Sequence, residues 1–280
     1  MRLVYLGTPA AAVPPLQALL TAGHEVALVV SQPDRRRGRG SALVASPVKA
    51  AALDAGLAVS DRVDDVMAAG AELGVVVAFG RLIRPHVLEV VPMVNLHFSL
   101  LPRWRGAAPV ERAILAGDAE TGVCLMTLEA GLDTGPVHRS ERLAIDPDES
   151  ADELRHRLVA VGTGLLIDEL AAGLSPPRPQ IGEATYAAKI DPAELRLDWT
   201  RPAAELERLV RIGGAWTTVG GRRLKVHRAC AHRVTGRGVA VPTGTGPLEL
   251  LVVQAEGRSA VAAADWARGA AFRPGDALGS

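Results

Sequence analysis

GVVVAFGRLIRPHVLEVVPMVNLHFS, residues 74–99, contains two apolar runs, GVVVAFG (74–80) and MVNLHFS (93–99). The first is apolar without alternation and reads as a strand buried on both faces; the second reads as another strand. Upstream, LVYL (3–6) and EVALVVS (25–31) flank a helical stretch around residues 11–22. A further helix opens near Ser46-Pro47, where Ser suits a cap and Pro is tolerated in the first turn. Strands alternating with helices imply an α/β fold: an open, mostly parallel, doubly wound sheet covered on both faces. Such sheets bind ligands outside the carboxyl ends of their strands, and His97 falls at one of these ends.

The pattern changes further along. VCLMTLE and VHRSERLAI read as a hairpin or sheet edge. SADELRHRLVAVGTGLLIDELAAG reads as one long amphipathic helix from Ser150, with Glu153 completing a capping box. Residues 174–199 are Pro-rich with little period and read as a linker lying across the first domain, anchored by Tyr186 and Trp199. Beyond it come one helix, AAELERLVRI, and short runs (AWTTV, RLKVHRA, GVAVPT, LELLVVQAE) separated by Gly-rich turns. Short strands at this spacing predict a small β-barrel of OB-like type. The domains expected are 1–174, a linker over 175–200, and 201–280.

Composition excludes more than it specifies. Lys plus Arg and Asp plus Glu are equal at 31 each over 280 residues, so global charge selects no partner. From Arg201 onward, however, twelve Lys and Arg face six Asp and Glu. Cys124 and Cys230 have no CxxC or metal spacing, consistent with a reduced cytosolic protein. His227 and His232 lack neighbouring ligands, so no metal site is expected. MRLVYLG has no signal-peptide pattern and no apolar run reaches a membrane span, so a cytoplasmic protein is expected.

The candidate chemistry centres on Asn95, His97 and Asp133. Asn95 and His97 lie two apart on one strand and share a face. A single strand histidine is usually a hydrogen-bonded core residue, and Asp in GLDTG suits a plain turn. A polar pair at a strand's carboxyl end, followed by the loop SLLPRWRG, argues for catalysis, because buried polar groups are costly without purpose. An amide, an imidazole and a carboxylate together stabilise an oxyanion and move a proton, which suits acyl-type transfer. QPDRRRGRG (32–40) places Arg35, Arg36, Arg37 and Arg39 in one loop. It reads either as a solvated arm or, beside the expected site, as a grip on phosphates. Arg103 and Arg105 flank Trp104 and suit phosphate contacts or structural pairs equally. Gly7-Thr8-Pro9 lacks the further glycines of a dinucleotide loop, and no triphosphate motif is present.

NLHFSLLPRWRGAAP followed by GDAETGVCLMTLEAGLDTG closely resembles the methionyl-tRNA formyltransferase family. The likeness extends along nearly the whole chain: GTP at 7–9, SPVK at 46–49, YAAKI at 186–190 and AWTTVGGRRLKVHRA at 215–229. The Asn-x-His pair, SLLP and the distal Asp are shared with 10-formyltetrahydrofolate-using formyltransferases more widely. RWRGAAP, AETGV, the arginine loop and the basic tail resemble the tRNA-acting branch. Departures include Phe98 where a small residue is common, Ala10 and Ala11 where acidic and aromatic residues are usual, and Arg211-Ile212-Gly213-Gly214 in place of Asn-Pro-Trp-Pro.

The resemblance implies formyl transfer from 10-formyltetrahydrofolate to the α-amine of initiator methionyl-tRNA by a monomer without metal. Asn95 would hold the oxyanion. His97 would polarise that oxygen or protonate the departing nitrogen, and Asp133 would orient His97 and take the amine proton. Ser99, Leu100, Leu101 and Pro102 would wall the folate, with Leu82 and Ile83 in its pterin pocket. Arg35, Arg36, Arg37, Arg39 and Lys225 would contact tRNA. A sister enzyme acting on a sugar nucleotide or purine precursor would keep the trio but need no basic barrel. A non-enzymatic RNA-binding protein on the same scaffold would show no formyl transfer.

Overall fold

A computed structural model describes residues 1–36, 43–231, 236–270, 272 and 278–279. Its contacts divide the chain into two compact units. One comprises Met1–Val110, Glu120–Ala144 and Leu154–Ala188; the other comprises Glu111–Ala119, Ile145–Glu153 and Lys189–Ser280.

The first unit opens with β1 (Arg2–Gly7), α1 (Val13–Thr21), β2 (Glu25–Val30), the two-residue strands β3 (Arg35–Arg36) and β4 (Leu43–Val44), and α2 (Pro47–Asp54). There follow β5 (Val59–Ser60), β6 (Leu73–Val77), α3 (Pro85–Leu88), β7 (Met93–His97) and β8 (Arg105–Gly106). The chain continues through α4 (Pro109–Ala116), β9 (Glu120–Thr127), β10 (Val137–Ala144), α5 (Ala151–Ala172) and β11 (Tyr186–Ala187). The central sheet runs β10-β9-β7-β6-β1-β2-β5. Strands β7 through β5 in that order are parallel, and β9 and β10 add an antiparallel edge. The expected doubly wound sheet and its edge hairpin are therefore present. Every residue of β6 and β7 is buried; the apolar run of β6 accounts for this directly, while β7 also buries the polar Asn95 and His97.

Local chemistry sets the boundaries. Ser46 caps α2 by accepting from the Lys49 N–H at 3.0 Å, with Pro47 at the first turn. Ser150 and Glu153 form the reciprocal capping box of α5, with bonds of 2.8 and 3.3 Å. Gly162 lets α5 lie close on the sheet: a Cβ there would stand 2.5 Å from Leu96 Cδ2 and 3.0 Å from Val123 Cγ2. The Gly7-Thr8-Pro9 turn is a tie between strands, with the Thr8 hydroxyl donating to the Phe79 carbonyl at 3.1 Å.

Residues 178–187 run against the first unit as a strap. Arg178 pairs with Val137, and β11 pairs with β8. One expectation is corrected: Tyr186 is 63% exposed and anchors nothing by its side chain, whereas Ala187 is 1% exposed. In a two-residue strand adjacent side chains face opposite ways, and here Ala187 takes the inward position. Trp199 does pack on apolar neighbours, in the second unit, and its indole N–H donates to Thr217 at 3.0 Å.

The second unit contains α6 (Ala203–Arg211), β12 (Trp216–Val219), β13 (Arg222–Cys230), β14 (Val239–Thr243), β15 (Gly246–Ala255), β16 (Val261–Ala262) and α7 (Ala263–Gly269). The small barrel takes the form of a curled antiparallel half-barrel ordered β12-β13-β15-β14, with β16 on β15. Its core joins Leu206, Leu209 and Val210 of α6 to Leu224, Val226, Leu248, Leu250 and Val253 of the sheet. Among the described residues no helix is long and apolar enough to cross a membrane.

Candidate active site

Strand β7 ends at His97, and its period places Asn95 and His97 on one face. Asp133 arrives from the turn between β9 and β10, in the left-handed region at φ 49°. The trio is brought together. His97 Nδ1 stands 3.6 Å from Asp133 Oδ2, and the two side chains are only 6% and 12% exposed. On the other side of the ring, His97 Nε2 lies 2.9 Å from the Trp104 carbonyl. A carbonyl only accepts, so Nε2 carries a hydrogen there and Nδ1 is the nitrogen that meets the carboxylate. Asp133 Oδ2 also accepts from the Gly106 N–H at 2.8 Å.

Asn95 differs from its neighbours. It is 9% exposed, and its side chain makes no hydrogen bond to any described residue. The imidazole and carboxylate are thus held by protein, while the amide is left available. Among described residues no cluster of three or more His, Cys, Asp or Glu is arranged to hold a metal ion.

The loop after β7 is held from within. Ser99 is fully buried and its hydroxyl donates to the Arg103 carbonyl at 2.6 Å, so its side chain serves the loop. Leu100 packs over β9, where a Cβ on Gly122 would stand 2.5 Å from Leu100 Cδ2. Leu101 and Pro102 are joined by a cis peptide bond and are half-buried. Burial pushes the Cys124 thiol on β9 up to about 11, against a smaller opposing hydrogen bond from the Leu101 backbone. Leu82 is 73% exposed, whereas Ile83 is 4% exposed and packs in the core with Phe79 and Val87. The Ile83 side chain is therefore part of the core.

Arg35 and Arg36 sit exposed on the β3–β4 ribbon, and Arg35 Nη2 donates to Gln32 at 2.6 Å. Arg37, Arg39 and His232 lie outside the described residues. Lys225 is exposed on β13, opposite Trp216 on one side and Gln254 on the other.

Several residues that hold the site are invisible to motif reading. Arg105 is a structural partner, donating to Gln180 Oε1 at 3.1 and 2.6 Å. Gln180 Nε2 donates to the carbonyls of Asp133 and Gly135, each at 2.8 Å. The Thr185 hydroxyl accepts from the Trp104 N–H at 2.9 Å. The one available signal was the run of Thr185 and small residues in ATYAA, which permits close backbone pairing.

Comparison with known proteins gives the family. Residues 1–170 match the formyl transferase family model, and residues 189–271 match that of the formyl transferase C-terminal domain. Methionyl-tRNA formyltransferase of Dinoroseobacter shibae is 48% identical, covering 96% of this chain and 97% of its own length. That of Clavibacter sepedonicus is 45% identical, with 96% and 97% covered. Among solved structures, methionyl-tRNA formyltransferase from Clostridium thermocellum has a TM-score of 0.65 at 16% identity, over 94% of this chain and 99% of its own. An N-formyltransferase from Helicobacter canadensis, solved with folinic acid and dTDP-3-aminofucose, has a TM-score of 0.68 at 16% identity, over 89% and 98%. At such identities the structures show a shared fold. With both family models matched and full-length relatives at 42–48% identity, this chain belongs to the methionyl-tRNA formyltransferase family.

Proposed function

We propose that this chain transfers a formyl group from 10-formyltetrahydrofolate to the α-amine of initiator methionyl-tRNA, in the cytoplasm and as a monomer, for translation initiation. The observation that carries the chemistry is the Asn95 amide, which bonds to no described residue and reaches the surface of the site, beside a paired His97 and Asp133. An accessible amide whose two donors are not used by the described residues is free to bond a ligand.

The folate supplies an activated formyl carbon. An α-amine titrates near roughly 8, so a useful fraction is neutral at working pH. As the amine nitrogen bonds to the formyl carbon, the carbonyl oxygen gains charge, and Asn95 donates to it. One such donor is worth about 3 kcal/mol of barrier. The amine proton passes to Asp133, and the His97–Asp133 pair holds it until the folate nitrogen departs and takes it up. The Gly106 N–H and the Trp104 carbonyl keep carboxylate and imidazole aligned from opposite sides. The Leu100–Pro102 backbone and the segment at Leu82 and Ile83 would hold the folate.

Residues 201–280 would be the tRNA-binding domain and 1–174 the catalytic one, joined by 175–200. On β13, Arg223, Lys225 and His227 are exposed while Leu224 and Val226 face the core. The Arg223 guanidinium lies 4.2 Å over the Trp216 ring, and Arg196 lies 5.7 Å from it. A basic, aromatic sheet face suits a phosphate backbone. Arg35 and Arg36 would add contacts from the first unit, as would Arg37 and Arg39.

The test is transfer of labelled formyl groups by the purified protein to charged initiator and charged elongator tRNA. Preferential transfer to the initiator is expected. Transfer to a sugar amine instead, or none with the folate donor, overturns the reading.

A further inference from the structure

One side chain of the strap at 178–187 reaches both halves of the site. The Gln180 carboxamide uses all of its hydrogen-bonding capacity there. Its two N–H groups go to the carbonyls of Asp133 and Gly135, and its oxygen receives two bonds from Arg105. Arg105 stands between Trp104, whose carbonyl holds His97, and Gly106, whose N–H holds Asp133. On the far side the Asp133 turn is pressed against β9: a Cβ on Gly135 would lie 1.9 Å from the Thr127 carbonyl. The turn is thus backed by β9 and gripped in front by Gln180.

We propose that Gln180 is a positioning residue for formyl transfer. It sets the place of the Asp133 carboxylate relative to His97, and Arg105 orients Gln180 to do so. This rests on the reading that the His97–Asp133 pair handles the proton. Gln180 touches neither reacting atom in this account and acts through Asp133 alone.

The amide chemistry makes the idea separable from simple bracing. Glu at this position would keep the contact to Arg105 as an ion pair, yet would face two carbonyl oxygens without a donor. It would release the turn while preserving the other half of the tether. Met is nearly the same shape and makes neither set of bonds.

The experiment measures kcat and KM for Gln180→Met, Gln180→Glu, Asp133→Asn and the double variant Gln180→Met/Asp133→Asn, with thermal unfolding of each as a check on folding. Both Gln180 variants should lose about 30- to 100-fold in kcat, the scale of a small misplacement of a reacting group, with KM for folate and tRNA within about threefold of wild type. Adding Gln180→Met to Asp133→Asn should cost no more than about twofold further, because residues acting as one unit are not additive. Wild-type kcat in folded Gln180→Glu, or losses that multiply in the double variant, overturn the proposal. A fully active Gln180→Met beside an impaired Asp133→Asn overturns it alone. A fully active Asp133→Asn overturns the reading of the site and this inference together.

Discussion

The backbone N–H of Gly106 donates to Oδ2 of Asp133 over 2.8 Å, between residues 27 apart in sequence. That same oxygen is the one facing His97 Nδ1. The carboxylate is therefore oriented by main chain, before any substrate arrives, and a charge-assisted bond of this kind is among the stronger ones available. Orientation by backbone makes the residue identity at 106 matter for chemistry as well as for packing.

Gly106 has φ 119°, and a Cβ there would stand 2.9 Å from the Ala187 carbonyl. Gly106→Ala should push β8 from β11 and withdraw the N–H from Asp133. We expect kcat to fall about 10- to 100-fold and stability to fall by about 1–3 kcal/mol from the strained backbone. Denaturant unfolding and steady-state kinetics check both. Wild-type turnover in the variant would show that the amide does not set the carboxylate.

Asn95→Ala removes the donor of the trio that bonds to no described residue. A loss of about 10²–10³ in kcat is expected, with KM for folate near wild type, because the donor acts on charge that develops only during reaction. Asn95→Asp, of equal size, should be at least as impaired, since it offers an acceptor where a donor is needed. Retention of more than a third of wild-type kcat by either variant would remove Asn95 from the mechanism.

His97→Ala and Asp133→Ala should each lose orders of magnitude in turnover while folate and tRNA still bind. Combining them should add little beyond the larger single effect, since the 3.6 Å contact makes them one proton-handling unit. Single-turnover assays with separate binding measurements distinguish this from a folding defect. Losses that multiply would mean the two residues serve different steps.

The sheet was legible because β6 is a short, β-branched apolar run and β7 is a second short run alternating with helical segments, a pattern that fits strands of a parallel sheet buried on both faces. Asn95, His97 and Asp133 were legible for the opposite reason: polar groups in the middle of, or just beyond, such runs have no packing rationale. Gln180 and Thr185 were not legible. They lie in a Pro-rich stretch without period, and their partners are 47 and 81 residues away, so no local pattern links them. Tyr186 misled because its size suggested an anchor, whereas strand parity turns Ala187 inward and leaves Tyr186 exposed.

The basic face of β13 predicts a salt effect. If Arg223 and Lys225 each meet one phosphate, replacing either with Ala should reduce the slope of log binding constant against log salt by about 0.7–0.9, with turnover at saturating tRNA nearly unchanged. Lys225 sits between Trp216 and Gln254 across the sheet, so its removal leaves the core residues Leu224 and Val226 in place. Filter binding or fluorescence anisotropy over a salt series reads the slope. An unaltered slope in both variants would move the tRNA contacts elsewhere.

Cys124 makes stability depend on alkaline pH in a calculable direction. Burial raises its thiol from 9.0 to about 11, partly offset by the Leu101 N–H and the Arg142 charge. A raised folded-state value means that the native protein holds its proton where the unfolded chain has lost it. The associated stability is whole below pH 9 and drains away as pH climbs toward 11, by about 2–3 kcal/mol in total. Tyr5, fully buried with its hydroxyl donating to the Ala12 carbonyl at 2.5 Å, is raised too and adds to the decline in the same direction. Urea unfolding of wild type and Cys124→Ala between pH 8 and 11 separates the two contributions. The variant starts less stable at pH 8 but should decline less steeply above pH 9, so that the curves converge. Parallel curves would mean that the thiol is hydrated in the native state, and a thiol reagent at pH 8 would then label Cys124 without unfolding.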